Sequence, residues 1–176
     1  MSTAAAPEVL FSASEIAARV EAMAEAIVAD LGTDIVAVPI LTGAFVFAAD
    51  LVRALWRQGA GLAVMPVRLR SYGDARAAAG PPHLVMGLDA RVDGRSVLLI
   101  DGVCDVGHTL AAAIAHVRAE GAARVASAVM IDKPVRRAAA VAPDHAGFGI
   151  EDLFVVGYGM DAAGALRHLP FIGVVR

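Results

Sequence analysis

The stretch SVLLIDGVCDVGHTL, residues 96–110, decides how this chain is read. Val97, Leu98, Leu99 and Ile100 form an unbroken apolar run, which suits a strand buried on both faces of a parallel sheet. The run ends at an acid, Asp101, and passes into a loop that holds Gly102, Asp105 and Gly107. Thr109 is placed to cap an alanine-rich helix expected from Leu110 to Glu120. A strand, a glycine-bearing loop and a helix N-terminus together make an anion site, because unpaired backbone N–H groups converge on one spot. Acids inside such a loop are unfavourable for a bare phosphate. They point to a ligand that also offers hydroxyls or a metal ion.

Three readings of the loop compete. The plainest is an ordinary strand–turn–helix with polar turn residues. The second is a triphosphate loop, because Gly102 to Thr109 spells G-x-x-x-x-G-H-T, one residue from G-x-x-x-x-G-K-[ST]. That loop depends on its lysine, and a histidine, mostly neutral at pH 7, does not replace it. Asp105 would also face the phosphates, which makes this reading poor. The third depends on the rest of the chain.

A chain of 176 residues is expected to be one domain with a proper core, residues 1–11 forming a flexible leader. Its hydrophobic content is 58% and its mean hydropathy +0.65, but much of that is alanine, which suits ordinary helices. The longest apolar region, Ile35 to Ala49, is interrupted by Pro39, Thr42 and Gly43, short of the ~20 residues a membrane-spanning helix needs. The first residues show neither a basic start nor an apolar segment of the secretory kind. The single cysteine, Cys104, excludes an internal disulfide, and a reducing cytoplasm is the expected setting. A net charge of −3 without a basic run argues against nucleic acid as a partner. Fourteen of the fifteen basic residues are arginine, so the lone lysine, Lys133, is a marked choice.

Ser12 and Glu15 form a capping-box pattern, and Ile16, Val20, Met23, Ile27 and Leu31 recur at helical spacing up to Gly32. Ile35 to Leu41 reads as a strand in which Pro39 is awkward. A turn at Thr42-Gly43 leads to a helix over Phe45 to Arg57 with Phe45, Ala48, Ala49, Val52 and Trp56 on one stripe. Leu62 to Leu69 is the next expected strand. A loop opening with Arg70-Ser71-Tyr72-Gly73 runs to Pro82, long enough to act as a lid. Leu84 to Leu88 and the stretch around Val92 suggest a hairpin with Asp93-Gly94 as its turn. Val125 to Ile131 is a further strand, and Asp132-Lys133-Pro134 stands at its C-terminal end, where open α/β sheets bind ligands. A short strand near Phe154 and a last one over Phe171 to Val175 complete an α/β fold: a mainly parallel twisted sheet flanked by helices.

Five segments in this order, LTGAFVFAADLVRAL, Ser71-Tyr72, VLLIDGVCDVGHTL, Asp132-Lys133-Pro134 and FVVGYGMD followed by RHLPFIGVV, resemble the hypoxanthine-guanine phosphoribosyltransferases of purine salvage, a type I phosphoribosyltransferase family. The resemblance runs from about Ile35 to Val175. It implies a mobile lid loop and a small purine-binding hood beside the sheet. It also implies that 5-phosphoribosyl-1-pyrophosphate binds with Mg²⁺ and that a 6-oxopurine displaces pyrophosphate. By matched position, Val106, Gly107, His108 and Thr109 would hold the 5′-phosphate, Asp101 the ribose hydroxyls, and Thr42, Gly43 and Arg167 the pyrophosphate. Asp105 would face the five-membered ring of the purine as the catalytic acid–base group. Lys133 would donate to the purine 6-oxygen, Phe154 would stack on the base and the Val155 backbone would read its edge. Asp161 would contribute to the metal site, and Ser71 and Tyr72 would lie on the lid. A homodimer or homotetramer is implied as well.

Three positions depart from the family pattern. Gly102 replaces the loop's second acid, Val106 replaces a threonine, and Thr42 stands where a basic residue is usual. An aspartate at position 102 is expected to regain a ribose contact. The departures leave open a second reading, a nucleotide-binding regulatory protein with weakened turnover on the same fold.

Overall fold

The computed structural model describes residues 7–70, 83–86, 88 and 92–175. Their strands are β1 (Glu8–Phe11), β2 (Asp34–Leu41), β3 (Gly61–Val64), β4 (Val67–Arg70), β5 (His83–Met86), β6 (Ser96–Cys104), β7 (Arg124–Asp132), β8 (His145–Gly149), β9 (Val155–Val156) and β10 (Ile172–Val174). The helices are α1 (Ala13–Leu31), α2 (Phe45–Arg57) and α3 (His108–Ala119). The main sheet runs β5-β4-β2-β6-β7-β8 with β3 also beside β2. All its pairings are parallel except β4 with β5.

β6 lies at the centre because both of its faces are apolar. Leu98 and Ile100 point into the layer under α1 and α2, with Phe47, Leu51 and Ile27. Val97 and Leu99 point into the opposite layer, against Leu110, Ala113 and Val117 of α3. The same alternation divides β2, with Ile35 and Ala37 on one side and Val36 and Val38 on the other. α1 begins where the sequence places it, with Ser12 and Glu15 closing a reciprocal capping box, and ends at Gly32.

Pro39 sits in a central strand because its missing N–H falls in a gap. The Ala37 carbonyl accepts from Met65 N, so by the two-residue alternation Pro39 faces the same neighbour. That neighbour changes there from β3, ending at Val64, to β4, starting at Val67. The stretch expected as one strand over Leu62 to Leu69 is therefore two. Other expectations also need correction. Glu8–Phe11, placed in a flexible leader, is a strand that pairs antiparallel with β10, which in turn pairs with β9. These three strands form a second, small sheet. β5 pairs with β4 rather than with the region around Val92, and Asp93-Gly94 is the turn that enters β6. The buried face of α2 is Phe47, Ala48, Leu51, Ala54 and Leu55, whereas Phe45 and Trp56 are exposed. Among the described residues no helix is long and apolar enough to cross a membrane.

Candidate active site

β6 continues beyond Asp101 as far as Cys104, which shortens the loop before α3 to Asp105, Val106 and Gly107. Asp101 is thus a strand residue. Its carboxylate accepts a hydrogen bond from Gly102 N at 2.7 Å. Burial pushes its pKa up to about 7, against the lowering effect of the Gly102 and Val103 N–H groups.

Gly107, not Thr109, is the N-cap of α3. It has a left-handed backbone with φ of 89° and makes no side-chain cap. A Cβ there would come within 2.8 Å of Val141 and 2.9 Å of Arg137, so the segment after β7 packs directly against the loop. The Val106 carbonyl accepts from the N–H groups of Ala138 and Ala139. The Gly107 N–H, on the other side of the same planar peptide, is turned away from that segment. Asp101 and Val103 to Leu110 line a concavity of about 70 Å³ at this point. The first N–H groups of α3 have no partner within the helix, which makes this a cradle for an anion. Thr109, in the first turn, adds a hydroxyl rather than a cap.

Register brings the next residues together. Cys104 lies opposite Asp132, and Lys133 N donates to Cys104 O at 3.0 Å, so Lys133 and Asp105 leave adjacent strands side by side. Lys133 is only 6% exposed, yet its ammonium has no hydrogen bond or ion pair with any described residue. The stem is packed away while the ammonium is left to meet solvent or a ligand oxygen. Asp105 is reached from the other side by Arg136, whose Nε stands 2.6 Å from Oδ1. Arg136 escaped the sequence reading because it lies beside Arg137 in an arginine-rich chain.

Phe154 keeps 56% of its surface exposed, as a stacking residue would, while Val155 is buried in β9. Asp161 accepts from Gly164 N at 2.6 Å and pairs with Arg167 at 2.6 Å. Arg167 also donates to the Gly159 carbonyl at 2.6 Å. Gly43, in the turn after the cis Leu41–Thr42 peptide, reaches the same region, and its carbonyl oxygen touches both Gly102 and Gly159. Thr42, Gly43, Asp161 and Arg167 therefore gather near one edge of Gly102. Ser71 and Tyr72 lie outside the described residues.

No group of three His, Cys, Asp or Glu among the described residues could hold a metal ion alone. Both carboxylate oxygens of Asp161 are already engaged. A divalent ion here would bring most of its ligands as water and substrate phosphate, which is the habit of Mg²⁺ and not of a protein-caged metal.

Comparison with known proteins identifies the family. The phosphoribosyl transferase domain family model matches residues 9–163. The chain is 33% identical to the hypoxanthine-guanine phosphoribosyltransferase of Bacillus subtilis (strain 168) over 170 residues, 96% of this chain and 93% of that one. It is 34% identical to the hypoxanthine phosphoribosyltransferase of Escherichia coli (strain K12) over 171 residues, 96% of this chain and 94% of that one. A crystal structure of a hypoxanthine-guanine phosphoribosyltransferase from Bacillus anthracis superposes with a TM-score of 0.89 at 32% identity, covering 96% of this chain and 98% of that one. Its loop, fold and near full-length likeness to these enzymes mean that the chain belongs to the hypoxanthine-guanine phosphoribosyltransferase family.

Proposed function

We propose that this enzyme transfers the phosphoribosyl group of 5-phosphoribosyl-1-pyrophosphate to hypoxanthine or guanine, forming the nucleoside 5′-monophosphate and pyrophosphate. The observation that carries the substrate class is Lys133, a residue only 6% exposed whose ammonium has no partner among the described residues, side by side with Asp105. An ammonium needs an acceptor, and the 6-oxygen of an oxopurine is one. Adenine offers an amino group there instead.

The remaining roles follow from position. The N–H groups of Val106 to Thr109 and the Thr109 hydroxyl hold the 5′-phosphate, and Asp101 accepts from the ribose hydroxyls. Asp105 holds or takes a proton at the five-membered ring as the purine nitrogen bonds to C1′ and the pyrophosphate oxygen leaves. Phe154 stacks on the base and Val155 reads its edge through the backbone. The Thr42-Gly43 turn and Arg167 receive the pyrophosphate, and Ser71 and Tyr72 cover the site against water. Asp161 would help hold Mg²⁺, which would supply charge neutralisation for the pyrophosphate when bound. The common physical task is to fix the reactants in line and shield separated charge.

α2 supports self-association. Phe45, Ala49 and Trp56 are exposed along one side of the helix, Phe45 to 43% and Trp56 to 73%, while Val52 beside them packs on the core. A second copy, in a homodimer or homotetramer, is the occupant we assign to this stripe. A reduced thiol and a phosphorylated sugar substrate both suit the cytoplasm.

The test is nucleotide formation from purified protein, Mg²⁺, 5-phosphoribosyl-1-pyrophosphate and each purine in turn. Turnover with hypoxanthine or guanine is expected. Binding without turnover would favour the regulatory alternative.

A further inference from the structure

We propose that Arg136 is a positioning residue for Asp105: anchored on Asp152, it covers one carboxylate oxygen and leaves the other to meet the purine. The inference rests on the role given to Asp105 above. Arg136 Nη1 lies 3.0 Å from each oxygen of Asp152, so the guanidinium is held at one end by a whole carboxylate. At its other end Nε stands 2.6 Å from Asp105 Oδ1. That oxygen is buried and has no hydrogen-bond donor among the described residues, so the contact is an ion pair off the hydrogen-bond axis. The Asp105 side chain is nevertheless 40% exposed, and that exposure falls on its other atoms. The two oxygens are thereby made unequal. Oδ1 belongs to Arg136 and Oδ2 is open to a ligand.

The placement follows from local backbone. Pro134–Arg136 is a single 3-10 turn, with Arg136 N donating to Lys133 O at 3.1 Å. This turn fixes Arg136 relative to Lys133, so the partner of the acid and the partner proposed for the 6-oxygen move as one unit. Asp152 lies two residues before Phe154, which ties the stacking residue to the same clasp. Arg137 cannot substitute. Its guanidinium is already engaged by Asp132 and Cys104.

Steady-state kinetics on R136Q, R136K, D105N and the double variant D105N/R136Q test this. R136Q should lower kcat by about 5- to 20-fold, between the worth of an exposed ion pair and the cost of a ~1 Å misplacement, with KM for phosphoribosyl pyrophosphate little changed. R136K, which keeps the charge but not the two-ended grip, should recover part of the loss. On the D105N background the R136Q change should cost no more than ~2-fold, because the group it positions is already gone. R136Q with the natural kcat, or a double variant that loses the full R136Q factor again, overturns the proposal. Natural turnover by D105N alone would instead overturn the role of Asp105, and this inference with it.

Discussion

The carbonyl oxygen of Gly43 lies 2.8 Å from the point that a Cβ on Gly102 would occupy. It lies 2.7 Å from the corresponding point on Gly159. Three chain segments thus meet at one backbone oxygen, and all three are glycine at the point of contact. Gly102 has no left-handed backbone to require it, so close approach is the whole reason for glycine here. The expectation that an aspartate would regain a ribose contact is thereby reversed, since the side chain's first atom has no room.

Gly102→Ala should consequently displace the Thr42-Gly43 turn. A rigid backbone atom is the obstacle, so the strain should cost about 1–3 kcal/mol of stability, as overpacking does. Binding of pyrophosphate should weaken more than binding of the purine. Urea unfolding and separate titrations of the two ligands check this. A variant with natural stability and natural pyrophosphate affinity would show that the turn moves freely.

Lys133→Arg should raise KM for hypoxanthine by about 10- to 100-fold, the worth of a hydrogen bond to a charged group, and leave KM for phosphoribosyl pyrophosphate nearly unchanged. Lys133 is a residue only 6% exposed, and a bulkier, planar guanidinium presents its donors in a different place from an ammonium. Adenine should be a poor substrate of the natural enzyme. Comparable rates with adenine and hypoxanthine would remove the 6-oxygen role from Lys133.

Most of the framework was legible because its signals are local. Ser12, Glu15 and Gly32 mark both ends of α1, and the apolar run at Val97 to Ile100 marks the central strand. Asp105 and Lys133 stood out as an acid in an anion loop and as the lone lysine. What sequence missed depends on distant partners. β8, HAGFG, has no alternation and is recognisable only by its pairing with β7. Glu8–Phe11 becomes a strand only because Ile172–Val174 is there to receive it. On α2 both sides are apolar, so the spacing of Phe45, Ala48, Ala49, Val52 and Trp56 did not tell which face inward: Ala48 and Val52 pack on the core, whereas Phe45 and Trp56 are exposed. The closeness of Gly43 to Gly102 joins residues far apart in the chain.

The exposed residues of that stripe lead to a prediction about assembly. Trp56→Glu puts a charge at the most exposed apolar residue of that side and, at 73% exposure, leaves the core in place. Light scattering after gel filtration should show a smaller species than the natural protein, and thermal stability measured on the smaller species should hold. An unchanged mass would mean that copies associate through another face.

Asp101 gives the pH prediction. In the folded chain its pKa is pushed up to about 7 by burial, whereas its ordinary value is 3.8. Between those limits the folded state retains a proton that the unfolded state has lost, so stability falls as pH rises through the window. Below it both states are protonated, and above it both are ionised with the full cost in place. Asp101→Asn is neutral throughout and escapes that cost. The variant should match the natural protein near pH 4 and exceed it at pH 8. The distance between the two pKa values caps the gain at ~4 kcal/mol, and relaxation and water entry around a buried charge bring the expected value to about 1–3 kcal/mol. The same change should weaken phosphoribosyl pyrophosphate binding, because a carboxylate that accepts from ribose hydroxyls is replaced by an amide. Urea midpoints of both proteins at pH 4, 6 and 8 measure the first effect and calorimetric titration the second. A stability difference that does not change with pH would mean that Asp101 ionises as easily folded as unfolded. A stabilised variant with undiminished binding would mean that this strand acid serves neither the fold nor the ribose.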